Sequence, residues 1–192
     1  MPLNVPNILT WQRIMAIPLL VAVYLLPWEG WGIHSRNLVA TIIFVLAALT
    51  DWVDGYLARR LGQQTAFGAF LDPVADKLMV AGALLILIQL QRVDAVIAFI
   101  IIGREITISA LREWMAEIGA RKSVAVSSLG KVKTAAQMAA IPMLLFHDSI
   151  LGIDIHFWGE VLLWGAGVLT VWSMFYYLRR AWPIIKETGG NL

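Results

Sequence analysis

The sequence predicts an all-α integral membrane protein of six transmembrane helices with an interfacial N-terminal segment. Three observations carry this. Hydrophobic residues make up 59% of the 192 residues and mean hydropathy is +0.74, above what a soluble domain shows. The apolar residues fall in runs long enough to cross a bilayer. Basic residues gather on alternate connections between those runs. The length fits one domain, residues 1–192.

Met1 to Thr10 contains Pro2 and Pro6 and reads as a short interfacial lead, with Thr10 as a candidate cap for a helix starting at Trp11. Nothing basic precedes the first apolar run and no small-residue cleavage site follows it, so it is expected as a mature segment rather than a signal peptide. The first span is expected over residues 8–26, with Arg13 near its start. Residues 27–37, with Pro27, Gly30 and Gly32, read as a turn. The second span covers 38–60, and Gly62 fits a C-terminal cap. The third covers 67–90, with a start shifted later if Pro73 is confined to a first turn. The fourth covers 93–114 and holds Arg104 and Glu105. A polar loop over 115–130 leads to the fifth span, 131–146. A turn over 147–159 leads to the sixth, 160–178, which Arg179, Arg180 and a polar tail follow.

An even number of spans puts both termini on one side. That side then holds thirteen basic residues: Arg13, Arg59, Arg60, Lys77, Arg104, Arg112, Arg121, Lys122, Lys131, Lys133, Arg179, Arg180 and Lys186. The other holds two, Arg36 and Arg92. Positive charge marks the cytoplasmic side. The nine tryptophans mostly fall near span ends, where aromatic belts form. Cysteine is absent, which excludes disulfides and thiolate metal sites. The net charge of +2 is too small to indicate a nucleic-acid partner.

The chemistry concentrates in residues 51–76. Asp51 and Asp54 lie three apart at the end of the second span, and Asp72 and Asp76 four apart at the start of the third. Both spacings put a pair on one helix face. One such Asp beside an apolar run is ordinarily a solvated helix end. Four at these spacings, interleaved with Gly55, Ala58 and Gly68, are harder to obtain by accident. Converging carboxylates repel unless a cation neutralises them. Oxygen-only ligands suit Mg²⁺, Mn²⁺ or Ca²⁺ rather than zinc, and such cations commonly hold substrate phosphates as well. Small residues at a tight cleft let backbones approach each other or a ligand.

A basic constellation follows: Arg104, Arg112, Lys131 and Lys133. Arg104 sits where an unpaired charge is costly. Its sequence neighbour Glu105 is an unpromising partner, because adjacent helical residues do not face each other. A phosphate on the substrate would satisfy it instead. Lys131 and Lys133 open the next span after Gly130, near a helix N-terminus that favours anions. His34, His147 and His156 fall on the far side and enter no mechanism.

The order Asp-x-x-Asp-Gly-x-x-Ala-Arg, eight residues, Gly-x-x-x-Asp-x-x-x-Asp resembles the CDP-alcohol phosphotransferase family. Asp51, Asp54, Gly55, Ala58, Arg59, Gly68, Asp72 and Asp76 match every defining position. The resemblance implies transfer of a phosphatidyl group from CDP-diacylglycerol to an alcohol, with release of CMP. It assigns Asp51, Asp54 and Asp72 to two divalent cations, Mg²⁺ or Mn²⁺, and Asp76 to the general base and a metal. It gives Gly55, Ala58, Arg59 and Gly68 to the cytidine and diphosphate. The active site is then at the cytoplasmic ends of helices 2 and 3, in a multi-pass protein of the bacterial inner membrane, expected as a homodimer.

Further stretches point within the family to members that use sn-glycerol 3-phosphate and form phosphatidylglycerol phosphate. These are residues 7–10 with Arg13, 72–77, 103–105, 111–114, 123–126 and 130–134. The basic cluster Arg104, Arg112, Lys131 and Lys133 would hold the acceptor's phosphate. Asn7, Thr10 and Arg13 serve either the cytidine and lipid side or only helix capping and anchoring. Members acting on inositol phosphate, serine or a second phospholipid are the near alternatives. A membrane prenyltransferase has a different motif order, and a cation transporter would need polar groups leading across to the far side.

Overall fold

In the computed structural model of the chain the described backbone covers residues 5–61, 66–120 and 128–189, with side chains described over 10–50, 68, 70–120, 130 and 132–186. Six helices run through these residues: α1 (Val5–Leu25), α2 (Ile33–Leu61), α3 (Ala66–Gln89), α4 (Ala95–Glu117), α5 (Ser128–Phe146) and α6 (Ile155–Gly189). The pattern of the surface is the reverse of a soluble protein. Every helix turns large apolar side chains outward, among them Leu19, Leu46, Leu85, Phe99, Val132 and Trp172. The interior holds Arg13, Asn37, Arg104, Lys133, Gln137, Thr170 and Ser173. Such burial of polar groups under an apolar coat suits hydrocarbon surroundings, where polar side chains face the bundle interior. By length and composition, two described helices carry apolar stretches fit to cross a membrane, Ile33–Thr50 and Ile155–Lys186. Shorter apolar stretches occupy Thr10–Leu25 and Val132–Phe146.

Several expected boundaries are corrected. Helix α1 begins at Val5, so Thr10 lies inside a helix and is neither part of an extended lead nor an N-cap. Pro6 is harmless there, because the N–H it lacks belongs to the unpaired first turn. Helix α2 takes in Ile33 to Asn37, leaving only Gly30, at φ +78°, and its neighbours to turn the chain. The expected span 67–90 holds for helix α3, which runs from Ala66 to Gln89 with Pro73 inside it. Helix α4 extends past Trp114 to Glu117 and stops at Gly119, at φ +75°, a conformation that glycine adopts without steric cost. Helix α5 starts at Ser128, three residues before the expected Lys131. Helix α6 starts at Ile155 and continues through the basic tail to Gly189. At 1.5 Å per residue α6 is about 52 Å long, well beyond a hydrocarbon layer of about 30 Å, so its basic end projects past the apolar slab. Gly62 and residues 121–127 lie outside the described residues.

Helix α1 packs on α2 and α3, α5 on α2, α3 and α6, and α4 on α3 and α6. Leu20, Phe44, Leu84, Leu87, Ile101, Ile141 and Leu144 form the main core. A second cluster of Ile108, Met115, Tyr177 and Ala181 joins α4 to the extension of α6. Gly167 lies against Ile97 where any Cβ would collide, so α6 approaches α4 closely. Gly165, two residues before it, faces open space.

Arg92, between α3 and α4, ties one end of the bundle together. Its Nη1 donates to the carbonyls of Leu145 (2.8 Å) and Leu144 (3.2 Å), and its Nη2 to Asn37 Oδ1 (2.9 Å). Tyr24 Oη donates to the same Asn37 oxygen at 3.2 Å. His34 pairs with Asp148 at 2.8 Å, and His147 stacks edge-on against His156. The end of α1, the start of α2, the α3–α4 connection, the end of α5 and the start of α6 therefore share one end, so the helices alternate in direction. Burial first, then the Arg92 charge, holds the His147 imidazole below its ordinary range. All three histidines lie at this end, remote from the aspartate motif. Arg92→Met strands two carbonyls and leaves Asn37 Oδ1 with the Tyr24 hydroxyl alone, and should lower stability by about 3 kcal/mol. A thermal melt in detergent measures this; an unchanged midpoint would remove Arg92 from the tie.

Candidate functional site

Helix α3 carries Asp72 and Asp76 one turn apart, and both are half-buried. The Thr10 hydroxyl of α1 donates to Asp72 Oδ1, across 62 positions of sequence. Thr10 is itself buried, so its hydroxyl is committed to that carboxylate. Arg13, one turn further along α1, is fully buried. Gly68, expected at the diphosphate, is buried at the start of α3. Asp51, Asp54, Gly55, Ala58 and Arg59 lie on the last turns of α2, but their side chains are outside the described residues, as are those of Asn7 and Lys131. Helices α1 and α5 each touch both α2 and α3, which sets the two motif halves beside common neighbours.

A cavity of about 40 Å³ opens beside Asp76. Asp76, Lys77 and Val80 of α3 line it, with Glu105 of α4 and Thr134, Gln137 and Met138 of α5. Behind Glu105 stands a charged cluster. Lys133, buried on α5, makes an ion pair with Glu105 Oε1. Arg104 Nη1 donates to the same oxygen at 3.2 Å, and its Nη2 donates to Ser173 Oγ of α6 at 2.9 Å. The expectation that Glu105 would not partner Arg104 is thus wrong. Both side chains are long enough to curl round the helix, and Lys133 draws the carboxylate to the side where Arg104 also reaches. Tyr177 of α6 supports two guanidinium groups, Arg112 at 5.0 Å and Arg104 at 5.8 Å from its ring centre.

Of the basic cluster, Arg104, Arg112 and Lys133 therefore come together at one place. Glu105 already offsets part of their charge, and neither Arg104 nor Lys133 lines the cavity. Sequence reasoning missed Glu105, Gln137, Ser173 and Tyr177. Glu105 was the most legible of them, an acid at membrane depth beside an arginine. Gln137, Ser173 and Tyr177 carry no spacing signal. Only the packing of α5 and α6 brings them to the site.

The family model for CDP-alcohol phosphatidyltransferase matches residues 3–172. Similar proteins carry one name, CDP-diacylglycerol–glycerol-3-phosphate 3-phosphatidyltransferase. That of Yersinia enterocolitica is 51% identical over 189 residues, covering 97% of this chain and all of the relative. That of Salmonella choleraesuis is 50% identical over 183 residues, 94% of this chain and 96% of the relative. That of Yersinia pestis is 50% identical over 189 residues, again 97% of this chain. Those matches span the aspartate motif, the cavity and the charged cluster alike, and the chain belongs to the CDP-alcohol phosphatidyltransferase family.

Proposed function

We propose that the chain transfers the phosphatidyl group of CDP-diacylglycerol to sn-glycerol 3-phosphate, giving phosphatidylglycerol phosphate and CMP. The carrying observation is identity of about half, over nearly the whole chain, to relatives named for that reaction. We read residues 1–192 as one domain of six spans in a bacterial cytoplasmic membrane. Both termini and the aspartate motif face the cytoplasm. The alternating helix directions and the thirteen-to-two division of basic residues support that orientation.

The donor set fits two divalent cations. Asp51, Asp54, Asp72 and Asp76 offer only oxygen, and Asp72 is already oriented by the Thr10 hydroxyl. Cations held there would neutralise the diphosphate and favour departure of CMP. The residues do the rest. Gly68, with Gly55 and Ala58, leaves room for cytidine and diphosphate, and Arg59 adds a charge-assisted contact. Arg104, Arg112, Lys131 and Lys133 attract the acceptor's phosphate, with Glu105 holding Arg104 and Lys133 in place until it arrives. Asp76, at the cavity wall, takes the proton of the acceptor's hydroxyl.

The test is CMP release by the purified protein in mixed micelles of CDP-diacylglycerol, with a panel of acceptors. Glycerol 3-phosphate should support release, and serine, inositol phosphate and phosphatidylglycerol should not. Faster release with any of those three would reassign the acceptor. Thr10→Val removes the hydrogen bond to Asp72 while keeping the shape. It should raise the Mg²⁺ concentration needed for half-maximal activity roughly ten-fold, the usual scale for a residue that orients a ligand. An unchanged Mg²⁺ titration would confine Thr10 to helix packing.

A further inference from the structure

Gln137 sits on α5 one turn after Lys133 and is 4% exposed. Its Nε2 has no hydrogen-bond partner among the described residues. A buried amide left unpaired costs free energy, and packing alone would be served as well by Leu or Met, which have no N–H to strand. Gln137 also lines the cavity that Asp76 lines. Around it stand acceptors and a hydroxyl: the carboxylates of Glu105 and Asp76, and Thr134, whose Oγ1 donates to the Gly130 carbonyl at 3.0 Å and keeps its own lone pairs. The carboxamide can turn to present either its amide hydrogens or its oxygen.

The polar lining suits a hydroxyl group, and the space admits one. About 40 Å³ exceeds what one water needs and seats a hydroxyl with its carbon. If Asp76 receives the proton of the reacting primary hydroxyl, the hydroxyl on the next carbon enters the same cavity.

We infer that Gln137 determines acceptor specificity by hydrogen-bonding the secondary hydroxyl of a glycerol phosphate, next to the hydroxyl that reacts. This rests on the acceptor reading given above and adds to it the group that distinguishes a triol phosphate from a simpler alkyl phosphate. A hydroxyl held by a buried amide is recognised strongly, because its loss leaves that amide unpaired.

The experiment compares two acceptors in mixed micelles, sn-glycerol 3-phosphate and 3-hydroxypropyl phosphate, which lacks the secondary hydroxyl. Wild type, Gln137→Leu and Gln137→Met are assayed with each, the second compound as substrate or as competitive inhibitor. With glycerol 3-phosphate both variants should lose roughly ten-fold in kcat/KM, mainly through KM, the worth of one neutral hydrogen bond. Their affinity for 3-hydroxypropyl phosphate and their KM for CDP-diacylglycerol should be unchanged. Equal losses with both acceptors would make Gln137 a packing residue and overturn the inference, as would an unchanged KM for glycerol 3-phosphate. Wild type that releases no CMP with glycerol 3-phosphate would sink the acceptor reading itself, a distinct result. If Gln137→Leu fails to insert, Gln137→Met, matched in length, carries the comparison.

Discussion

Asp51→Asn, Asp54→Asn and Asp72→Asn should each reduce turnover by on the order of a thousand-fold or more, while the protein inserts and purifies normally. The substitution keeps size and hydrogen-bonding shape, so helix packing is undisturbed. It removes one negative charge and one good oxygen ligand for a hard cation. A diphosphate substrate cannot approach a cluster of carboxylates unless cations stand between them, so the loss falls on both binding and chemistry. Asp72→Asn carries a further consequence. Thr10 donates to Asp72 Oδ1, and an amide oxygen can accept that bond as well. The α1–α3 contact should therefore survive, and a thermal melt of Asp72→Asn should match wild type. Near-wild-type turnover at ordinary Mg²⁺ for any one variant would take that residue out of the ligand set. Loss of folding in place of turnover would mark the carboxylate as structural.

How much of this was legible in the sequence follows from what kind of signal each part leaves. The helices were visible because apolar runs and basic connections are local. All six appear, and their ends were off by up to about ten residues. The largest error, the end of α6, has a physical cause. Hydropathy falls at Arg179, but Tyr177 and Ala181 pack on Met115 and Ile108, so tertiary contact carries the helix on where composition suggests a tail. Thr10 shows the same limit at the other terminus. A threonine before an apolar run looks like a cap, and only the packing of α1 on α3 reveals that its hydroxyl serves Asp72. The Asp72 and Asp76 pair was legible because spacing alone puts both on one face of α3, while the side chains of Asp51 and Asp54 lie outside the described residues. The cluster of Arg104, Glu105, Lys133 and Ser173 was half legible. Its charges stood out at membrane depth, but their pairing depends on where α4, α5 and α6 meet.

Asp76→Asn should abolish transfer, with a loss of about a hundred- to ten-thousand-fold in kcat, while CDP-diacylglycerol still binds. Asp76 lies one turn after Asp72, on the same face but about 6 Å further along the axis. It also lines the cavity beside Glu105, Thr134 and Gln137. In the mechanism proposed above, that offset lets Asp72 keep to the diphosphate while Asp76 reaches the acceptor's hydroxyl. On that proposal the hydroxyl oxygen bonds to the phosphorus bearing the lipid as its proton passes to Asp76. The bond from that phosphorus to CMP breaks on the opposite side, and the electron pair leaves with CMP. One displacement inverts a chiral phosphorus. A carboxylate that attacked first and carried the lipid would give two displacements and net retention. Wild-type enzyme, turned over on a substrate chiral at that phosphorus, should therefore invert, and Asp76→Asn should bind donor without forming product. Retention, or a phosphatidyl-enzyme isolated in the absence of acceptor, would replace the general base with a nucleophile at this position.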